Sequence, residues 1–297
     1  MSPDVSLIMP AWRPRPDWLG EAVRSALDEH ACTIELIVVD DGSDDPVERL
    51  LDGVDDPRLR CVRIAHAGPY LARNVGIEAA TGAYLRFVDA DDIVEPGSTG
   101  RLLALARSGG ESITYGGTVM CDERLVPQRE VTSELEGWVA EDCALGRFEV
   151  YIVSMLLPRT VVDRAGAWDP GFTVSGDWDF GLRALEQAPV RPLGEVVTQY
   201  RRHTASVTKR ADVAAGASAG RRVLDRYFAR HPERRGGELE RRAYLRLHID
   251  RATAHAKLRQ PAAAARELVA AARRSPGRAL AAGGRLIGQA LAARRRR

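Results

Sequence analysis

Short apolar runs alternate with longer stretches of helical spacing through the first half of the chain. "VSLIMP" (Val5 to Pro10) predicts a strand. "DWLGEAVRSALDE" (Asp17 to Glu29) predicts an amphipathic helix opened by an Asp cap, and "IELIVVDDGS" (Ile34 to Ser43) a second buried strand that ends in acids and a glycine. A helix from about Pro46, a short strand "RCVRI" (Arg60 to Ile64) and a helix over Tyr70 to Ala80 follow. Next comes "YLRFVDADDIVEPG" (Tyr84 to Gly97), a mostly apolar strand that runs into Asp89, Asp91 and Asp92. This β-α-β-α rhythm predicts an α/β fold with a mainly parallel central sheet and helices on both faces. Both acidic clusters then fall at the carboxyl edge of the sheet, where open α/β sheets bind ligands.

Beyond Glu95 the spacing predicts a helix near Leu102 to Arg107 and a strand at "SITYGG" (Ser112 to Gly117). The stretch Cys121 to Arg147 has weak periodicity and reads as loops. "VYIVSMLL" (Val150 to Leu157) reads as a strand, Pro158 starts a short helix, and "GDWDFGLRALEQA" (Gly176 to Ala188) is an acid-started helix. "EVVTQYRRH" (Glu195 to His203) closes the domain as a strand. From about Asp212 the chain is Ala, Arg and Leu at helical spacing, interrupted by "HPERRGG" (His231 to Gly237), Pro261 and "SPG" (Ser275 to Gly277). The expected division is an α/β domain over 1–208 and a C-terminal α-helical appendage over 209–297.

Charge sharpens that division. Met1 to Ser206 holds 20 Lys and Arg against 34 Asp and Glu, while Val207 to Arg297 holds 23 against 7. The near-neutral total of +2 therefore conceals an acidic part and a basic part. Cys32, Cys61, Cys121 and Cys143 are widely spaced with no C-x-x-C pair, so neither a structural zinc site nor a disulfide framework is expected. No run of about 18 apolar residues offers a membrane span, and "MSPDVSLIMPAW" does not read as a signal peptide. A cytoplasmic protein is expected.

Three carboxylates crowded at Asp89, Asp91 and Asp92 repel one another and need water, a basic partner or a cation to stay ionised. A hard divalent metal carrying phosphate oxygens meets that need; a solvated turn in which Asp92 or a neighbour caps the next helix is the plainer alternative. A Rossmann dehydrogenase would show G-x-G-x-x-G after the first strand, and none is present. A nucleotidyltransferase would want a Gly-rich basic loop there, and "MPAWRPRP" has no glycine.

Five ordered stretches, "VSLIMPAWRP", "LIVVDDGSDD", "ARNVGIEAATGAYLRFVDADD", "AGAWDPGFTVSGDWDFGLRA" and "YRRHTASVT", resemble the inverting glycosyltransferases of family 2, which have the GT-A fold. The resemblance covers roughly Val5 to Thr208 and leaves the C-terminal helices outside it. It implies transfer of a sugar from a nucleotide-diphosphate donor (UDP-, GDP- or dTDP-linked) to a hydroxyl on a glycan, lipid or small-molecule acceptor, with Mn²⁺ or Mg²⁺ as cofactor. Pro10 is expected to end the first strand and expose Ala11 and Trp12 toward the nucleotide, Trp12 either stacking there or packing on the following helix. Asp41 would accept hydrogen bonds from the base, or serve only as a turn acid. Arg73 would lie near the donor phosphates, or simply neutralise Asp89.

By the same resemblance Asp89 lies near the donor ribose or diphosphate, and Asp91 with Asp92 holds the metal. His203 completes the metal or diphosphate site unless it is a plain structural histidine, and Ser206 follows at the family's spacing. An imidazole among oxygens suits Mn²⁺ better than Mg²⁺. Asp177 matches the second acid of the family's Glu-Asp pair, with Gly176 in place of the first, and would be the general base; Asp179 is expected to cap or pair near the helix start, with Trp178 and Phe180 packing. The competing class is a non-catalytic nucleotide-sugar or anionic-ligand-binding protein with the same fold. The basic C-terminal helices suggest peripheral contact with anionic membrane, the alternative being a solvated helical module. No nucleic-acid role is expected, since their arginines lie among alanines with few aromatics.

Overall fold

The computed structural model describes residues 2–149, 151–204, 213–277 and 279–284. Strands β1 (Val5–Ala11), β2 (Ile34–Asp41), β3 (Leu59–Ile64) and β4 (Tyr84–Phe87) lie parallel in the order β3-β2-β1-β4. Helices α1 (Pro16–Leu27), α2 (Val47–Leu50) and α3 (Pro69–Ala79) make the crossovers. Register runs from Val5↔Ile34 to Ala11↔Asp40 and, on the other side of β1, from Val5↔Tyr84 to Ile8↔Phe87. The strand ends Ala11, Asp41, Ile64 and Phe87 therefore sit at one edge.

The chain continues through β5 (Ile93–Val94), α4 (Ser98–Arg107), β6 (Ile113–Cys121), β7 (Pro127–Val131), α5 (Ala140–Ala144), β8 (Met155–Pro158), α6 (Arg159–Ala165), α7 (Gly176–Leu185) and β9 (Val190–Arg201). β8 joins β4 antiparallel, β6 joins β8 antiparallel, β9 runs parallel to β6, and β5 pairs antiparallel with β9, with β7 on the outside of β6. The long β9 thereby brings residues 201 to 203 to the acid-rich turn between β4 and β5.

Both faces of the sheet are covered. Val5, Leu7, Met9 and Ala11 of β1 share one core with Leu19 and Val23 of α1 and Leu102 and Leu103 of α4. Ile8 points the other way, so close to α3 that a Cβ on Gly76 would stand 2.3 Å from its Cγ2. On that second face Phe87, Trp168 and Phe180 stack and cross at centroid distances of 4.1 to 5.8 Å. Each such fully buried side chain contributes about 1.5–3 kcal/mol of transfer free energy.

Several local expectations are corrected. Pro10 does not end its ladder, for Pro10↔Val39 and Ala11↔Asp40 stay in register. Ile8 C=O accepts from Val88 N–H, so alternate residues of β1 turn toward β4 and the missing N–H of Pro10 falls past the end of that strand. As a result Ala11 is buried rather than exposed. Helix α1 has no side-chain cap; Pro16 opens it and Asp17 sits in its first turn, paired with Arg15 at 2.6 Å. The 121–147 region is not all loop, since β6 runs to Cys121 and β7 and α5 follow. In the expected 150–157 strand Ile152–Ser154 is a 3-10 turn, only Met155 onward is strand, and residue 150 lies outside the described residues.

A second compact unit takes Glu141–Arg147 and Val207–Arg297, the first being Met1–Ala140 and Phe148–Ser206. Its described helices are α8 (Val213–Arg230), α9 (Glu238–Lys257) and α10 (Pro261–Ala272). Leu245, Ala271 and Ala279 form its small apolar core, Phe228 stacks on Tyr244, and His248 Nδ1 meets Glu267 at 2.7 Å. Arg234 holds Glu141 at 3.0 Å, tying the 141–147 segment to these helices. The expected boundary at 208, like Ser206, falls in 205–212, outside the described residues.

Candidate active site

The turn between β4 and β5 supplies the acids. Asp89, Asp91 and Asp92 each place one carboxylate oxygen within 4.8 Å of the others. Asp92 is buried; its Oδ1 accepts from the Arg201 backbone N–H at 2.9 Å while Oδ2 has no protein donor. Burial, and then the charges of Asp91 and Asp89, hold the Asp92 carboxyl well above the usual range. Burial and Asp89 likewise raise Asp91, opposed by its bond to His203 Nε2 at 2.7 Å. His203 packs edge-on against Trp18, with its Nδ1 buried and unsatisfied. A cluster of three close carboxylates, one of them buried with an unpaired oxygen, fits a divalent cation. Asp89, Asp91 and Asp92 would hold it, with His203 reaching the cluster through Asp91.

Arg201, absent from the sequence-based expectations, holds the turn in shape. It is 3% exposed and donates from Nε to Asp91 C=O, from Nη1 to Glu123 C=O and from Nη2 to Glu21 at 2.5 Å. The signal was its place two residues before His203 in "YRRH".

At the end of β2, Asp40 and Asp41 are both buried and engaged. Asp40 accepts from the N–H groups of Ser43 and Val47 and from Arg63, which makes it the turn acid. Asp41 accepts from Ala67 N–H at 2.7 Å and Gly68 N–H at 2.9 Å, so its carboxylate fixes the loop that starts α3. Beside it the Trp12 ring, 42% exposed, stacks on His66 at 4.6 Å and 18°, with Arg13 5.0 Å away. Trp12 thus packs on the loop after β3 instead of on α1, and half its surface stays open at the carboxyl edge. His66 was missed because nothing in "RIAHAG" marks it.

Helix α3 links these groups to the second acidic site. Arg73 donates to Asp89 at 2.7 Å, lies 5.0 Å from the Trp168 ring and keeps its buried Nε unpaired. It thereby neutralises Asp89 in the acid cluster. Asp177 is half-buried in the first turn of α7. Burial raises its carboxyl, and Arg73 is the largest opposing influence. Asp179 turns away to Arg183 at 3.0 Å, and Phe180 is fully buried whereas Trp178 is only partly so. Burial and the charge of Asp177 push the Tyr70 phenol up to about 12. Through Arg73 and Tyr70 the structure brings Asp177 into the electrostatic neighbourhood of Asp89.

An acid-tipped parallel half-sheet, a carboxylate trio at its edge and a second acid at a helix start belong to one α/β unit, and comparison with known proteins identifies its class. A sequence model of the family described as "Glycosyl transferase family 2" matches residues 6–152. Among curated relatives, the succinoglycan biosynthesis protein ExoO of Rhizobium meliloti is 37% identical over 112 residues, 37% of this chain and 32% of that protein. The uncharacterized glycosyltransferase EpsJ of Bacillus subtilis is 30% identical over 226 residues, 70% of this chain and 64% of that one. The crystal structure of S. aureus TarS 1-349 in complex with UDP-GlcNAc shares the fold at a TM-score of 0.65 and 15% identity, covering 95% of this chain and 84% of that chain. The chain thus spans about a third to two thirds of the length of these curated relatives. Residues 6–152 carry the family 2 glycosyltransferase domain, and the chain has the GT-A fold.

Proposed function

We propose that the protein is an inverting, metal-dependent glycosyltransferase that moves a sugar from a UDP-linked donor to an acceptor hydroxyl. The observation that carries this is the carboxylate trio at the carboxyl edge, with Asp92 buried and Asp89 and Asp91 partly open, close to Arg73 and to the separate, raised acid Asp177. UDP is preferred over GDP or dTDP because TarS, with the same fold, was solved with UDP and with UDP-GlcNAc. Bound at the trio, Mn²⁺ or Mg²⁺ would offset the charge of the diphosphate. Trp12 offers its open face to the base, and the positive charge of Arg73 beside Asp89 favours the phosphates. Asp177 takes the acceptor O–H proton as that oxygen bonds to the anomeric carbon, whose bond to the diphosphate oxygen breaks with the electron pair leaving on the nucleotide. Attack from the face opposite the leaving group inverts the anomeric centre.

The test is a panel of UDP-, GDP- and dTDP-sugars with Mn²⁺, scored by thermal protection and by release of nucleotide. Protection without turnover toward any acceptor or water would instead support the non-catalytic binding protein.

The second unit suggests where the enzyme works. Its described surface exposes Leu258, Val269 and Leu280 at 53%, 56% and 77%, interleaved with exposed Arg259, Arg266 and Arg273. On α10 an open depression of about 350 Å³ is lined by Ala265, Arg266, Val269, Ala270 and Arg273. Among the described residues no helix is long and apolar enough to cross a membrane. Apolar tips among arginines suit peripheral contact with anionic lipid, the stems lying along the acyl boundary and the guanidinium groups at the phosphates.

A further inference from the structure

Gly176 directly precedes Asp177, and the structure shows what stands where its side chain would be. A Cβ built on Gly176 would lie 2.4 Å from Tyr70 Cζ and 2.7 Å from both Cε atoms, closer than real Cβ contacts come. The Tyr70 hydroxyl accepts a hydrogen bond from Gly176 N–H at 3.0 Å, satisfying a donor at the very start of α7 that the helix itself cannot satisfy. Immediately before it Ser175 adopts φ +62°, ψ 15°, a left-handed conformation that costs a non-glycine residue energy unless its surroundings hold it.

Tyr70 is well placed to hold it. It occupies the first turn of α3, after Gly68, whose N–H is bound by Asp41. Its ring stacks on Trp168 at 5.7 Å and 10°. Trp168 is locked in turn to the next turn of α3, donating from N–H to Asn74 Oδ1 at 2.8 Å and accepting from Asn74 Nδ2 at 2.9 Å. The segment leading to Asp177 is therefore clamped to α3 at two points, the residue 168 backbone and the residue 176 backbone.

We propose that Tyr70 is the positioning residue for the Asp177 base, and that Tyr70 and Gly176 are a matched pair in which the phenol fills the volume a side chain at 176 would take and fixes the first turn of α7. The role in catalysis rests on the function proposed above, whereas the pairing does not. A carboxylate on a short turn moves with the backbone that carries it, and a displacement of about 1 Å costs up to 100-fold in rate.

The experiment is a set of variants of the full chain, read by melting temperature and by transfer kinetics. Gly176→Ala is expected to lower both the melting temperature and kcat. In a Tyr70→Ser background the same substitution should cost almost nothing in melting temperature, because the methyl then has room. An equal penalty in both backgrounds overturns the pairing. Tyr70→Phe keeps the ring and removes only the hydroxyl; it is expected to lower kcat about 10-fold, leave donor binding within twofold, and displace the acidic limb of the kcat–pH profile. A merely structural tyrosine would move melting temperature alone, and an unchanged kcat and pH profile reduces the proposal to a packing pair. If the parent transfers no sugar from any donor, the functional reading fails and takes the positioning role with it, while the melting cycle still decides the pair.

Discussion

Charge is used in opposite ways in the two units of this molecule. In the sheet unit the decisive charged groups are buried: Asp40, Asp41, Asp92, Arg73, Arg86 and Arg201 are all below 9% exposed, and each has named partners a few ångströms away. In the helical unit Arg259, Arg266 and Arg273 stand in solvent. A buried charge is held in one geometry, so its removal leaves partners stranded in a poor solvent and costs several kcal/mol. A surface charge contributes on the order of 1 kcal/mol and acts only in company. Substitutions should accordingly separate the units by the size of their effects.

The largest effect is expected at Asp177. Asp177→Asn keeps size and shape but cannot readily take a proton, and loss of a positioned base costs about 100-fold to 10,000-fold in rate. Donor binding should be nearly unchanged. Because burial raises this carboxyl in the folded state, its neutral form is favoured there. The stability it contributes is complete below the unfolded value near 3.8 and is lost as pH rises through the folded value. The Asn variant stays neutral, so it should gain stability relative to the parent as pH rises above about 4, and the parent's rate should fall as pH drops through the raised carboxyl. Retention of more than about a tenth of the parental rate by a folded Asp177→Asn would sink the assignment and make Asp179 the next candidate, despite its pairing with Arg183.

Next comes the carboxylate trio. Asp91→Ala is expected to weaken donor binding as well as turnover, on the order of 100-fold, because it removes an oxygen proposed to hold the cation and strands His203. Calorimetry of UDP-sugar binding with Mn²⁺ and after chelation checks this; equal affinity in both would remove the metal from the proposal. Together the two variants distinguish base from cation site.

Arg86 tests the buried-charge principle away from chemistry. It is fully buried in β4, donates to Ser98 Oγ, Thr99 Oγ1, Val197 C=O and Thr198 Oγ1, and burial lowers its pKa to about 10. Arg86→Leu should destabilise the sheet unit by about 3 kcal/mol or more, since several buried acceptors lose their donor at about 1–3 kcal/mol each. Urea titration would show it, and a change under about 1 kcal/mol would mean that water or rearrangement satisfies those groups.

These residues also show what was legible beforehand. The parallel half-sheet and the acids at its edge could be read because each is a contiguous run: apolar strand, then carboxylates, within one stretch of chain. Tyr70 with Gly176 and Asn74 with Trp168 could not, being 106 and 94 residues apart and joined only by folding. β7 was hidden because "PQREV" is an exposed edge strand with no apolar alternation to betray it. The opposite error arose at Ile152–Ser154, a 3-10 turn buried on every side, whose apolar run is indistinguishable from a strand. Arg86, a charged residue inside an apolar run, is a structural brace joining β4 to α4 and β9, and all its partners are distant in sequence or hidden in other elements.

The smallest effects belong to the helical unit. If it rests on anionic lipid, the purified chain should sediment with vesicles containing phosphatidylserine or phosphatidylglycerol at low salt, and release as salt shortens the Debye length toward about 8 Å. Single changes should be mild: Arg273→Gln or Arg266→Gln should reduce partitioning about 5-fold each, corresponding to about 1 kcal/mol per basic residue. Val269→Ser should act similarly if its exposed side chain enters the acyl boundary, because burying an apolar side chain of this size is worth about 1.5 kcal/mol. The pattern of failures is informative. Loss of binding on Arg→Gln but not on Val269→Ser would describe electrostatic adhesion without insertion, and absence of binding to anionic vesicles at low salt would leave a solvated helical module whose arginines serve another partner. None of these changes should alter turnover of a soluble acceptor, because no part in donor binding or proton transfer is proposed for Arg266, Val269 or Arg273.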